Sequence, residues 1–209
     1  MIKKIKQLIY KSLVPFIRLW KYFQWIFYLR KSKSINLVVG AGPTKFPGWF
    51  STDIATLDVT NEEHFKKYFS EKKIDKILAE HVLEHLTDND LKLMVKNFYK
   101  YSKETINIRI AVPDGYHSDK NYIEMVKPGG TGAGADDHKR LFNYKSLSSF
   151  FESDGFISYP LDYWDESGKF NSNYQNDENG YVDRSFINDD RNKDGKPNYT
   201  SLIVDFKKH

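Results

Sequence analysis

Three stretches of this sequence hold residue types whose spacing could do chemistry. In His81-Val82-Leu83-Glu84-His85, two imidazoles four residues apart bracket a carboxylate. Placed on one helix, that spelling holds zinc through both histidines, as in one class of metalloprotease. In Gly40-Ala41-Gly42-Pro43, followed by Asp53, glycines let the backbone approach a ligand closely and an acid at the next strand's tip can hold ribose hydroxyls. Asp190-Arg191-Asn192-Lys193-Asp194-Gly195 offers oxygen ligands at alternate positions and a glycine sixth, the first half of a calcium loop.

The elements that must position these residues decide among the readings. Ile35-Asn36-Leu37-Val38-Val39 has four apolar residues in five, which suits a parallel strand covered on both faces and puts the glycine turn at its carboxyl end. Residues 74–79 read as another strand. Glu80 and His81 therefore fall at a strand terminus, where ligands sit in open α/β sheets, and His81 is outside any long helix. That placement opposes the zinc reading, and no metal is expected there. The calcium reading is opposed at the twelfth position, which is Ser201 in place of glutamate.

Between these points, residues 57–59 read as a third short strand and 61–69 as a helix capped by Thr60. Thr87 or Asp88 caps a helix to about residue 101, and Ile106, Ile108, Ile110 and Val112 alternate into a strand that stops at Pro113. Residues 113–139 hold five glycines among polar and acidic residues and read as a long loop overhanging the ligand. A helix follows over 143–153, with Gly155 as its stop, then a strand over 156–163 and a polar insertion over 165–198. Residues 201–206 read as a closing edge strand.

The chain has 209 residues and no cysteine, so disulfides, thiolate metal sites and cysteine nucleophiles are excluded. Its net charge of +4 is unevenly spread: residues 1–34 carry nine Lys or Arg and no acid, leaving −5 on the remainder. An acidic body argues against a nucleic-acid partner. In the arm, Ile2, Ile5, Ile9, Leu13, Phe16, Trp20, Phe23 and Phe27 recur at steps of three and four, one apolar stripe on a basic helix that Pro15 should kink. Lysines and arginines interrupt it too often for a membrane span, and it lacks the small-residue cleavage site of a signal peptide. Such a helix either lies in an anionic membrane interface through residues 1–30 or docks on its own domain.

Gly40-Ala41-Gly42-Pro43, Phe46-Pro47-Gly48-Trp49, Thr52-Asp53-Ile54 and Ala79-Glu80-His81-Val82-Leu83-Glu84-His85-Leu86 together resemble the class I S-adenosylmethionine-dependent methyltransferases, and within them a bacterial branch associated with surface-polysaccharide biosynthesis. The resemblance implies an α/β fold: a doubly wound Rossmann-like sheet of seven strands, the last antiparallel, over 35–209, preceded by the amphipathic basic arm of 1–34. It implies S-adenosylmethionine (SAM) as cofactor, with Gly40, Ala41 and Gly42 beneath its methionine part, Asp53 on its ribose, Asp58 near the adenine and Glu80 toward the reactive end. His138 is the expected general base, with His81 beside it. Asp114, His117, Tyr122, Asp136 and Asp137 would contact a glycan or other envelope-linked acceptor, methylated at oxygen or, second, nitrogen. The implied location is cytoplasmic, at the inner face of the membrane. The branch's acid two residues before the first glycine is Val38 here, which favours an alternative: an inactive methyltransferase-like scaffold of a glycan assembly system.

Overall fold

The computed structural model describes residues 16, 19–42 and 44–209. The first apolar positions of the arm, Ile2 to Leu13, and Pro15 and Pro43 lie outside the described residues. A helix over 19–31 (α1) leads into β1 (Asn36–Val39) and β2 (Phe50–Ser51). Then come α2 (Glu62–Phe69), β3 (Ile74–Glu80), α3 (Asp88–Tyr101), β4 (Ser102–Pro113), α4 (Lys120–Val126), α5 (Tyr144–Glu152), β5 (Phe156–Trp164), β6 (Phe170–Ser172) and β7 (Ser201–Lys208). They build one seven-stranded sheet in the order β2-β1-β3-β4-β7-β5-β6. Strands β1 to β4 are parallel to one another and β7 runs antiparallel to both β4 and β5. This is the Rossmann-like arrangement that the resemblance implies.

Strand alternation assigns the two faces. Leu37 and Val39, Ile77 and Ala79, Ile108 and Ile110, and Leu202 and Val204 join one core with Trp25 and Leu29 of α1, Phe65 and Phe69 of α2, Phe98 of α3 and Phe151 of α5. Val38, Leu78, Ala111 and Ile203 face the other way; Tyr174 and Val182 of the insertion cover them, with Phe46 and Trp49 packed alongside. The sandwich is therefore asymmetric, with helices on one face and residues 173–190 of the polar insertion on the other.

Five expectations are corrected. Residues 57–59 form no strand, because Asp53 Oδ1 accepts the amides of Ala55 and Thr56 and Asp58 Oδ1 accepts that of Thr60, which turns the chain while Leu57 and Val59 stay buried. The cap of α2 is Asn61, whose side chain accepts from Glu63 N, not Thr60. Strand β7 is interior, and all but its last two residues are buried. Within 113–139, Asp119 caps α4, which buries Tyr122 and Val126 one turn apart. The arm, finally, docks through Trp25 and Leu29, whereas Trp20, Phe23 and Phe27 of the sequence's apolar stripe are 66%, 59% and 65% exposed.

What fastens residues 173–190 to the sheet is Arg109, on the helix-free face of β4. Its Nε and Nη2 donate to Asp205 of β7 at 2.8 and 2.9 Å, and its Nη1 donates to Asp177 at 2.7 Å and to the Gly180 carbonyl at 2.8 Å. Burial opposes its charge, but the two carboxylates outweigh that and hold the guanidinium protonated more firmly than usual. Asp205 is buried while Asp177 is 41% exposed at its side chain, so the two pairs differ in worth. Arg109→Met should cost about 3–5 kcal/mol in urea denaturation, since it strands a buried charge, and Asp177→Asn less than about 1 kcal/mol. Wild-type stability of the Arg109 variant would remove the clamp.

Candidate functional site

The glycine turn is held open by extensions of the β1–β2 ladder: Thr52 N donates to Val38 O at 2.8 Å and Ala41 N to Thr52 O at 3.0 Å. Gly40 has φ of 62°, and a Cβ there would lie 2.5 Å from Val82 Cγ2, so both conformation and space demand glycine. Gly42, at φ 52°, faces open space. Three cavities meet around this turn and the carboxyl ends of β1, β3 and β4. One, about 500 Å3, is lined by Gly40, Asp53, Leu57, Asp58, His81 and His85. A second, about 700 Å3, is lined by Gly40 to Gly42, Glu80, His81, Arg184 and Arg191. The third, about 260 Å3, holds His81, Val126, His138, Arg184, Arg191 and Tyr199.

His81 is thus common to all three. It is the one non-glycine residue with positive φ among the described residues, at 53°, which turns the chain sharply at the end of β3 and throws the ring into the junction. Its Nε2 lies 3.0 Å from Ser201 Oγ and its Nδ1 3.2 Å from Glu84 Oε1. Glu80, one residue earlier, lines the second cavity while its carboxylate accepts the amides of Arg184 and Asp183 at 2.8 and 3.1 Å. Burial lifts its pKa above the ordinary value, against the pull of those amides. Its carboxylate thereby anchors the insertion beside the cavity.

Asp53 opens on the first cavity, and Lys21 of α1 donates to its Oδ2. Burial opposes ionisation, but Lys21 and the Thr56 hydrogen bonds prevail and hold its carboxyl below the usual range. Arm and turn therefore meet at this acid. Asp58 lines the same cavity, with Oδ1 occupied by the Thr60 amide and hydroxyl.

His138 comes to the junction because the glycine-rich loop folds tightly back on α4. A Cβ at Gly130 would lie 2.6 Å from the Met125 carbonyl, and Lys139 N donates to Glu84 O at 2.7 Å, which pins the loop to the 3-10 turn at Leu83–His85. The His138 side chain is 6% exposed; Nδ1 donates to Val126 O at 2.7 Å and Nε2 points at Glu84 Oε1, 4.0 Å away.

The other expected acceptor contacts are corrected or displaced. Asp114 is fully buried, and its carboxylate accepts the amides of Tyr116 and Trp164 at 2.9 and 2.8 Å; burial, against those hydrogen bonds, raises its pKa to about 6. His117 stacks on Tyr122 with ring centroids 3.9 Å apart, and burial pushes its pKa down to about 4. Tyr122 donates its hydroxyl to Thr200 O at 3.0 Å. These three are buried and brace α4 from within: Asp114 accepts backbone amides, Tyr122 donates to a backbone carbonyl, and His117 accepts the Asp119 amide through Nδ1. Asp136 is exposed, and Asp137 pairs with Lys139 at 2.7 Å and His85 at 3.4 Å. The calcium reading finds no converging oxygens: Asp190 pairs with Lys193 at 2.9 Å and Asp194 accepts Lys196 N and Asn198. Sequence reading missed Arg184 and Arg191, which lie in the polar insertion and wall two of the cavities.

No family model and no curated protein matches this chain. Among solved structures it is similar to a SAM-dependent methyltransferase from Archaeoglobus fulgidus, 16% identical, over 96% of this chain and 92% of that one, with a TM-score of 0.46. A SAM-dependent methyltransferase from Thermotoga maritima gives 13% identity over 96% and 99%, with a TM-score of 0.46. LepI in complex with SAM gives 7% identity over 86% of this chain and 44% of that one, also at 0.46. Scores and identities this low assign no activity, so the functional reading rests on the site.

The glycine turn yields a direct expectation. Gly40→Ala must both strain the backbone and displace Val82, so it should lower stability by about 1–3 kcal/mol, read from the denaturation midpoint. Gly42→Ala, with open space around it, should lose only the strain. Equal effects at the two positions would contradict the packing described.

Proposed function

We propose that this chain is a SAM-dependent methyltransferase acting on a hydroxyl oxygen, or second a nitrogen, of a saccharide or other envelope-linked acceptor. The observation that carries the reading is the single imidazole, His81, shared by a cavity holding Asp53, a cavity floored by the glycine turn and a smaller cavity walled by arginines. The donor set fits the cofactor: Asp53 suits ribose hydroxyls, Leu57 and Asp58 an adenine edge, and the Gly40 to Gly42 backbone a close-lying methionine chain. When bound, SAM supplies a methyl already activated by its sulfonium. The protein's work is then alignment and proton removal.

His81 suits the second task. Glu84 Oε1, 3.2 Å from Nδ1 though not hydrogen-bonded to it, favours the tautomer with its proton on that nitrogen, which leaves the Nε2 lone pair facing the Ser201 hydroxyl. An acceptor hydroxyl sharing that hydrogen bond delivers its proton to Nε2. We therefore give the base role to His81 and not to His138, whose Nε2 faces the buried Glu84. Arg184 and Arg191 suit an acceptor bearing carboxylate or phosphate as well as hydroxyls. His81→Gln should lower kcat for methyl transfer from labelled SAM to a polysaccharide acceptor by about 10²–10⁴, with cofactor affinity nearly unchanged. Undiminished turnover would end the assignment. The inactive-scaffold alternative predicts no transfer to any acceptor by the wild-type protein.

A second observation favours a membrane-facing arm. Trp20, Phe23 and Phe27 leave an apolar face bare on a helix that ends in Arg30 and Lys31, with Lys33 just beyond it, a composition suited to an anionic headgroup layer. Among the described residues no helix is long and apolar enough to cross a membrane. Because Trp25 is wholly buried, truncation before residue 33 would open the core, so point changes are the test. The triple variant Trp20→Ser, Phe23→Ser, Phe27→Ser should stay folded yet no longer sediment with phosphatidylglycerol vesicles at low salt. Unchanged sedimentation would exclude this face.

A further inference from the structure

We propose that Glu84, His85 and His138 form a binding site for one divalent transition-metal ion, placed between the cofactor cavity and the arginine-walled cavity. Each residue presents one ligand atom, and these atoms lie within 4.8 Å of one another. Among the described residues this is the set of histidines and acids that converges so closely. Two ligands at metal–nitrogen and metal–oxygen lengths of about 2.1 Å are about 3.4 Å apart in a tetrahedron. Closing on an ion is therefore a movement of about an ångström for loop and turn.

The decisive group is Glu84. Its residue is 0% exposed, and neither carboxylate oxygen has a hydrogen-bond partner in the protein. Charged groups are almost never buried in this way unless they are paired or coordinate a cation. The nearest cationic candidates are themselves imidazoles, His81 at 3.2 Å and His138 at 4.0 Å. A cluster of unmatched donors and acceptors of this kind is what a metal ion completes.

The surroundings repeat the arrangement by which proteins orient metal ligands. His138 donates its Nδ1 proton to the Val126 carbonyl at 2.7 Å, which fixes the tautomer and leaves the Nε2 lone pair pointing at Glu84. A lone pair aimed at a carboxylate is repulsive without a positive charge between them. Asp137, 3.4 Å from His85 Nδ1, and His81, 3.2 Å from Glu84, stand where second-layer partners stand. Lys139 N holds the two halves of the site together by donating to the Glu84 carbonyl at 2.7 Å.

Two nitrogens and one oxygen, with no thiolate in the chain, suit zinc, manganese, iron or cobalt in the divalent state. Three protein ligands leave coordination positions open, and His138 and His85 line the cavities on either side. On the methyltransferase reading, an ion held by Glu84, His85 and His138 would leave a position open for an acceptor oxygen and would supply the Lewis acidity that eases its deprotonation. A metal here would depart from the expectation that none binds. The ligand set also differs from the zinc-helix spelling His81-x-x-Glu84-His85, for it takes Glu84, His85 and a residue 53 positions on.

The test is direct metal binding by untagged, chelator-treated protein. Titration with Co2+ should give a visible d–d spectrum that saturates at one equivalent with micromolar or tighter affinity, and Zn2+ should abolish it. Glu84→Gln and His138→Gln should weaken Co2+ binding by about 10–100-fold or more, while Asp190→Asn, in the rejected calcium loop, should not. No spectrum from wild-type protein at millimolar Co2+ would overturn the site, as would full binding by Glu84→Gln. The wild-type spectrum decides the matter even if a variant misfolds. S-adenosylhomocysteine affinity on the same preparations separates this from the methyltransferase reading: metal bound without that ligand keeps the site and removes the reading.

Discussion

A guanidinium buried between two strands and a loop sets the shape of the ligand side of this protein. Val38, Leu78, Ala111 and Ile203 lack the layer of helices that covers the opposite face, and Phe46 and Trp49 pack against them from the first crossover. Their cover is an Asn- and Asp-rich segment with few apolar residues to bury, Tyr174 and Val182 chief among them. Hydrophobic burial alone would hold it weakly. Arg109 joins β4, β7 and that segment through Asp205, Asp177 and the Gly180 carbonyl. With Glu80 and Asp162 accepting further amides of the segment, this attachment sets where Arg184 stands in the site.

Much of the fold is written locally and could be read. Ile35 to Val39, Ile74 to Ala79 and the alternating Ile106 to Val112 are strands because their apolar residues fit a two-faced or covered sheet, and Thr87 and Asn143 cap α3 and α5 with reciprocal side-chain bonds. What could not be read depends on partners distant in sequence. Ser201 to Lys208 looks like a closing strand until Arg109, 96 residues from Asp205, places it inside the sheet. The arm's most regular apolar stripe is the exposed one, since periodicity reports which residues share a face and not which face meets the core.

The site shows the same division. Gly40, Asp53 and His81 were legible because a strand end, a glycine turn and an acid obey rules of spacing. Glu84 was visible as a letter in a motif, but its significance is that both its oxygens are buried and unmatched, which only the packing of the loop around His138 creates. Asp114, His117 and Tyr122 had the right chemistry for acceptor contacts and the right loop, and they are consumed in bracing α4. Residue type proposes a role; burial and partners decide it.

The reading proposed for the cleft between β1, β2 and β3 requires that it bind a SAM-like ligand. Calorimetric titration of the full chain with S-adenosylmethionine, beside NAD and ATP at equal concentrations, tests it most directly. The account predicts one-to-one micromolar binding of S-adenosylmethionine, and binding at least tenfold weaker for the other two. Absence of heat at millimolar S-adenosylmethionine, or equal affinity for NAD, would contradict it.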